Sequence, residues 1–188
     1  MKTYFFPSLR ISLVLLVIVS GLYPLVIAGI GNFTPGHGDG ETVMYKGRVV
    51  GYANEGQNFT KDQYFWSRPS AAGYNAAGSS GSNKGPNNPD YLKDVKARLD
   101  TFIKHNPDVK TEEIPAELVT ASGSGLDPDL SPMGAKVQVA RIAKKRNIPA
   151  ETVNKIIADN TTQPLFGLFG PAKVNVLKMN VALDELVK

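Results

Sequence analysis

Residues 11–30, ISLVLLVIVSGLYPLVIAGI, form an unbroken stretch without a charged side chain. An α-helix rises about 1.5 Å per residue, so roughly 20 apolar residues span the ~30 Å hydrocarbon core of a bilayer. Lys2 and Arg10 precede this stretch, and the first acidic residue is Asp39. The positive-inside rule therefore predicts a cytoplasmic N-terminus at residues 1–10, a transmembrane helix at 11–30, and everything after it outside. Pro24, near the outer end, is expected to kink the helix. A cleaved signal peptide is the competing reading. Val26 and Ala28 have the small-residue spacing a signal peptidase uses, with Gly29 as the new N-terminus. The apolar run exceeds the usual h-region of about 7–15 residues, which favours the uncleaved anchor. Either reading exports the rest of the chain.

Residues 31–41, GNFTPGHGDGE, read as a short flexible connector, leaving 42–188 as one extracytoplasmic domain. The chain has 21 basic and 17 acidic residues, and Lys2 and Arg10 lie before the apolar segment, so the body is nearly neutral. That composition excludes a broad electrostatic footprint for nucleic acid. There is no cysteine, and His37 and His105 are the only histidines, so disulfides and thiolate metal sites are excluded and no metal site is expected.

The domain reads as α+β, with a small sheet and about three helices. TVMYKGRVVGYA gives two short strands around Lys46-Gly47, a hairpin signal. FTKDQYFWSRPSA is dense in aromatics (Phe59, Tyr64, Phe65 and Trp66), which most simply pack in a core beside a turn. The strongest helix signal follows: Asn88 suits the N-cap, Pro89 the first helical position, and Pro107 the stop. Its apolar face is Leu92, Val95, Leu99, Phe102 and Ile103. Ser131-Pro132 opens a second helix with Ala135, Val139, Ile142 and Ala143 inward, Gln138 and Arg141 near the border, and Asn147 as its end. PAETVNKIIADNT predicts a third, with Val153, Ile156 and Ile157 inward. AKVNVLKMNVALDEL predicts a strand alternating Val174, Val176 and Lys178, then a half-strand or helical turn. QPLFGLFGP, residues 163–171, reads either as packing at a strand entry or as an exposed patch for a partner.

Four motifs compete for a chemical role. GSSGSNKG at 78–85 approaches a phosphate loop, but Asn83 and Gly85 flank Lys84 where glycine and a hydroxyl are required. SGSGLDP fails the dinucleotide fingerprint because Pro128 occupies the third glycine position. QVARIAKKRNIPAETVNKIIADNT resembles a helix-turn-helix, yet its second helix has one base against two acids, which is poor for phosphate contact. Asp127 and Asp129 could serve acid–base chemistry as an external hydrolase, although Asp-Pro is foremost a turn and cap signal. The chain has no phosphorylation site of the DKTG type, so by itself it is not an ion-pumping ATPase. A membrane-anchored or secreted binding protein acting alone remains the alternative to a subunit of a larger assembly.

Longer stretches carry a resemblance. FWSRPSAAGYNAAGSSGSNKGPNNP, ELVTASGSGLDPDLSP, QVARIAKKRNIP and FGPAKVNVLKMNVALDEL resemble, in order, the motifs of the C-subunit family (KdpC) of bacterial Kdp potassium-transporting ATPases. The resemblance implies a non-catalytic accessory subunit of a high-affinity, ATP-driven potassium import complex in the inner membrane. Its implied partners are a channel-like potassium-translocating subunit, a P-type ATP-hydrolysing subunit and the lipid bilayer. It implies a catalytic chaperone that raises the ATP affinity of the hydrolysing subunit, with ATP met through the complex and potassium as the transported ion. Gln138, matching a glutamine in the family's Q-V-x-R motif, is the nucleotide-linked residue so implied. ATP is cytoplasmic whereas the expected topology puts Gln138 outside, so stabilising the complex or shaping the external potassium entrance is the expected physical role. The loop at 73–91 is expected to be ordered by Asn and Ser hydrogen bonds and by a partner. Ser79, Ser82, Asn83, Ser122, Ser124 and Asp127 are the candidate partner-facing residues.

Overall fold

The structure, a computed structural model, describes residues 2–186, so the expected limits at residues 1 and 188 lie outside the described residues. The chain divides into two compact units, residues 1–42 and 43–188. In the first, helix α1 (Lys2–Val17) continues through a π-helical turn (Ile18–Leu22) into α2 (Tyr23–Gly31). From Thr3 to Gly31 this makes one helical run of 29 residues with a mean hydropathy of 2.6, long and apolar enough to cross a membrane once. Its length is about 43 Å, close to a bilayer with its headgroup regions. Pro24 lacks an N–H and its ring crowds the carbonyl one turn back; the wider turn just before it accommodates both defects.

The second unit is α+β. Strands β1 (Thr42–Tyr45) and β2 (Arg48–Tyr52) pair across a two-residue turn. Lys46 and Gly47, at φ 49° and 74°, both adopt the left-handed conformation that a tight hairpin of native twist requires. A three-stranded antiparallel sheet has the order β3 (Asp129–Leu130), β5 (Lys173–Asn175), β4 (Thr161–Thr162). Val174 sits opposite both Leu130 and Thr161, and is fully buried.

Five helices among the described residues complete the unit, where the sequence predicts about three. Helix α3 (Pro89–His105) has the expected cap, the Asn88 side chain accepting from the Asp90 and Tyr91 N–H groups. Of its predicted apolar face only Phe102 is buried, and Leu92 is exposed. The predicted second helix is two: α4 (Pro132–Lys136), capped by Ser131, and α5 (Val139–Arg146), ended by Asn147 at φ 54°. The break lies at Val137 and Gln138. There the Gln138 N–H bonds three residues back to Ala135 while its side chain takes the Gly134 carbonyl. A side-chain donor thus replaces a helical N–H, and the turn tightens. Helix α6 (Ala150–Asp159) turns Val153, Ile156 and Ile157 inward as expected.

The C-terminal expectation is corrected. Only Lys173–Asn175 is a strand, and Val176 and Lys178 belong to helix α7 (Val176–Glu185). The Asn175 side chain accepts from the Lys178 N–H and ends the strand as an N-cap. Val176, Met179, Asn180 and Leu183 then recur at helical spacing, all buried. Alternating Val-Asn-Val is too short to outweigh that longer period. Val176, Met179 and Leu183 join Phe65, Leu130, Ile142, Val153, Ile157 and Val174 in one core.

Asn175 also donates to the Ala53 carbonyl at 2.7 Å, tying α7 to the end of β2. Asn175→Ala therefore removes a cap and a tertiary hydrogen bond, an expected loss of about 2 kcal/mol. Asn88→Ala removes a cap alone, about 1 kcal/mol. Denaturant unfolding of the full chain in detergent checks the difference; equal losses would contradict the dual role.

Candidate functional site

Residues 62–66, Asp-Gln-Tyr-Phe-Trp, lie in a turn and the irregular backbone after it, outside every strand. Phe65 is nonetheless fully buried, so the peptide groups around it need partners away from water. Side chains supply them. The Phe65 N–H donates to Asn180 Oδ1 at 2.8 Å, and Asn180 Nδ2 donates back to the Phe65 carbonyl at 3.0 Å. The next residue repeats the pattern: the Trp66 N–H donates to Gln138 Oε1 at 2.8 Å, and Gln138 Nε2 donates to the Trp66 carbonyl at 3.3 Å. Two buried amides, from α7 and from the α4–α5 break, bracket consecutive peptide units much as a neighbouring strand would.

Two arginines take the carbonyls before them. Arg141 donates through Nη1 to the Asp62 and Tyr64 carbonyls, at 2.5 and 3.0 Å, and through Nε to Asn106 Oδ1 at 3.0 Å. Arg146 donates through Nε to the Gln63 carbonyl at 2.7 Å, and through its other nitrogens to the Leu183 carbonyl and Asp184. Each guanidinium also stacks on an aromatic ring of the segment, Arg141 over Trp66 at 4.5 Å and Arg146 over Tyr64 at 4.9 Å. A planar fork with several fixed donors suits this task, and lysine would not replace it.

Gln138 is fully buried rather than at the border of the apolar stripe, and Arg141 is buried beside it. The four hydrogen-bonding positions of the Gln138 amide are all engaged: Oε1 accepts from Trp66 and from Arg141 Nη2 at 2.7 Å, while Nε2 donates to Trp66 and Gly134. Burial pushes the Arg141 pKa down to about 10, with the Asp62 charge acting against it, so Arg141 stays charged near neutral pH. Asp62 in turn accepts from His105 Nδ1 at 2.7 Å. Burial pushes the Asp62 carboxyl up, but the hydrogen bond and charge of His105, with Arg141 and Lys145 behind them, outweigh it and hold its pKa below 3.8.

The remaining candidates sit in two loops that face each other. Ser79 Oγ donates to the Ser124 carbonyl at 2.9 Å, and Ser70 Oγ to the Gly125 carbonyl at 2.6 Å. Gly125, at φ 70°, lies so close that a Cβ would meet the Ser80 carbonyl oxygen at 2.7 Å. Ser122 is buried and accepts from the Gly125 N–H. Asp127 pairs with Arg68 at 2.8 Å and accepts from the Asp129 N–H, while Asp129 pairs with Lys173 at 2.6 Å. These two acids are thus spent on separate cations. Ser82 and Asn83 are exposed, and Asn83 has φ 52°. His37 lies in the first unit, its ring against the Asn32 carbonyl. Among the described residues no group of three His, Asp or Glu side chains could hold a metal.

The sequence reading missed Asn106, Asn180, Arg146 and the role of Asp62. One signal was available for Asn180: it stands four residues after Val176 and three before Leu183, a polar amide in a core register.

The sequence model of one protein family, described as KdpC: K+-transporting ATPase, c chain, matches residues 5–185. The chain belongs to the KdpC family. It is 52% identical over 184 residues to a potassium-transporting ATPase KdpC subunit of Phocaeicola vulgatus, covering 96% of this chain and 97% of the relative. The corresponding subunit of Bacteroides thetaiotaomicron is 50% identical over 188 residues, with 98% and 99% covered. That of Bacillus cereus (strain ATCC 10987) is 44% identical over 184 residues, with 97% and 95% covered.

The lowered Asp62 pKa fixes the sign of a pH effect. Its contribution to stability is fully present above the ordinary value of 3.8 and is lost as pH falls through the lower folded value. The stability gap between the native chain and Asp62→Asn is expected to close as pH falls from about 5 to below about 4. Denaturant melts across this range check it; a gap that widens between about pH 5 and about pH 3 would contradict the assignment.

Proposed function

We propose that this chain is the accessory, non-catalytic subunit of a high-affinity ATP-driven potassium import complex, serving a channel-like subunit and an ATP-hydrolysing subunit by stabilising their assembly. The observation that carries this reading is the family match along almost the whole chain. The relatives are named as subunits of a potassium-transporting ATPase, so the chain acts beside other proteins rather than alone. The N-terminal helix anchors it in the inner membrane, with Lys2 and Arg10 on the cytoplasmic side and residues 43–188 outside.

Gln138 supports assembly rather than direct nucleotide contact. Each hydrogen-bonding position of its amide is satisfied inside the domain, so contact with ATP would first require breaking the bracket on Trp66. Any rise in ATP affinity that the subunit confers is then transmitted through the complex.

Gln138→Ala leaves the Trp66 peptide unit and Arg141 short of partners, an expected loss of roughly 2–4 kcal/mol in domain stability. The yield of assembled complex should fall while potassium-stimulated ATPase activity and apparent ATP affinity per assembled complex stay unchanged. Weakened ATP affinity in fully assembled complex, with a stable domain, would contradict this reading and favour a nucleotide-contacting Gln138.

A further inference from the structure

Leu165, Phe166, Leu168 and Phe169 stand exposed rather than packed at a strand entry, which corrects that reading of residues 163–171. That turn offers no charged side chain to select an occupant. A cleft of about 480 Å³ in the second unit does. Helix α3 turns Ala97, Arg98, Thr101 and His105 toward it, along one side of the helix. Phe59, Trp66, Tyr74 and Phe102 supply aromatic walls. Trp66 meets Phe102 edge-on, ring centroids 6.3 Å apart at 82°, and meets His105 at 4.9 Å. Small-molecule sites have this size, and they combine apolar walls with a few placed polar groups.

The polar groups define the occupant. Three of the lining hydroxyls are spent within the chain: Tyr74 donates to the Arg68 carbonyl at 2.6 Å, Ser67 to that of Gln57 at 2.7 Å, and Thr101 to that of Ala97 at 2.8 Å. His105 gives its Nδ1 to Asp62. Arg98 differs. Its Nη1 reaches the Val119 carbonyl at 3.2 Å, while Nε and Nη2 have no partner among the described residues. Those two nitrogens form one edge of the guanidinium, a fork that holds a carboxylate by two parallel bonds. No Asp or Glu lines the cleft to compete for it. Burial raises the Tyr74 hydroxyl pKa, with the Arg98 charge acting against it, so this wall is desolvated and within reach of that charge. One cation matches one carboxylate, whereas a polyphosphate takes several.

We infer that this cleft binds a small carboxylic acid bearing an aromatic ring, with the carboxylate on the Arg98 fork and the ring among Phe59, Trp66 and Phe102. The site is built from residues 58–118 of one chain, so the inference stands apart from the subunit reading. The Trp66 ring also carries Arg141 at 4.5 Å, and its peptide unit is held by Gln138. An occupied cleft therefore braces the buried segment at 62–66 and raises the melting temperature of the domain.

The test uses the full-length chain in phosphatidylcholine vesicles, with 3-phenylpropionate as the probe. Trp66 is the only tryptophan of the chain, so its fluorescence reports on the cleft directly. A saturable change is expected, half-complete at roughly millimolar probe, the affinity of so small a ligand. The uncharged amide and the amine of the same skeleton should bind at least about tenfold more weakly, because they lose the charge-assisted fork. Arg98→Gln should weaken binding of the acid by a similar factor and leave that of the amide unchanged. Ala97→Phe, at an exposed position on the lining, should block the acid without lowering the melting temperature. No saturable change up to about 50 mM probe, or equal binding of acid, amide and amine, would overturn the inference. Loss of assembly with other subunits in Ala97→Phe, with no binding of the acid to the native chain, would also overturn it, in favour of a protein-docking groove.

Discussion

Five consecutive carbonyls, from Asp62 to Trp66, are held by side chains of Arg141, Arg146, Asn180 and Gln138. A buried peptide group without a partner costs roughly 1–3 kcal/mol, so the burial of Phe65 at the centre of this segment depends on these side chains. That requirement fixes α5 and α7 on either side of it, and the break before α5 exists because Gln138 serves Trp66 and Gly134 at once. The same arginines stack on Tyr64 and Trp66, and His105 at the end of α3 reaches Asp62. Removing any one of these side chains leaves its partner groups unpaired in a low-dielectric setting, where an unpaired polar group is most costly.

Much of the periphery was legible in the sequence. Asn88-Pro89, Ser131-Pro132 and Asn147 mark helix ends by local chemistry, and Lys46-Gly47 marks a hairpin by the conformation its turn demands. The centre was not legible to the same degree. Arg141 and Arg146 stand in a basic cluster beside a turn, a pattern that is usually solvated and complements a helix end. Their partners are carbonyls about eighty residues away, and backbone carbonyls leave no mark on a sequence. The apparent helix-turn-helix loses its electrostatic case for the same reason: its two arginines face inward.

The glycine- and serine-rich loops show a related effect. Read singly, 73–91 and 121–127 look like linkers or phosphate cradles. In the fold Ser79 and Ser70 bond the backbone of the second loop, and the absence of a Cβ at Gly125 lets the two chains approach closely. Small residues here are a packing requirement of one loop against another.

The central claim is that side-chain amides, not a sheet, hold the Phe65 and Trp66 peptide units. Amide hydrogen exchange in the full-length chain tests it directly, because neither residue belongs to a helix or strand. The Phe65 and Trp66 N–H groups should exchange as slowly as those of the core helices α6 and α7, and Gln138→Ala should release Trp66 to exchange at least about tenfold faster than Phe65. Exchange of both amides at the rate of the exposed loop residues 82–85 in the native chain would contradict the account.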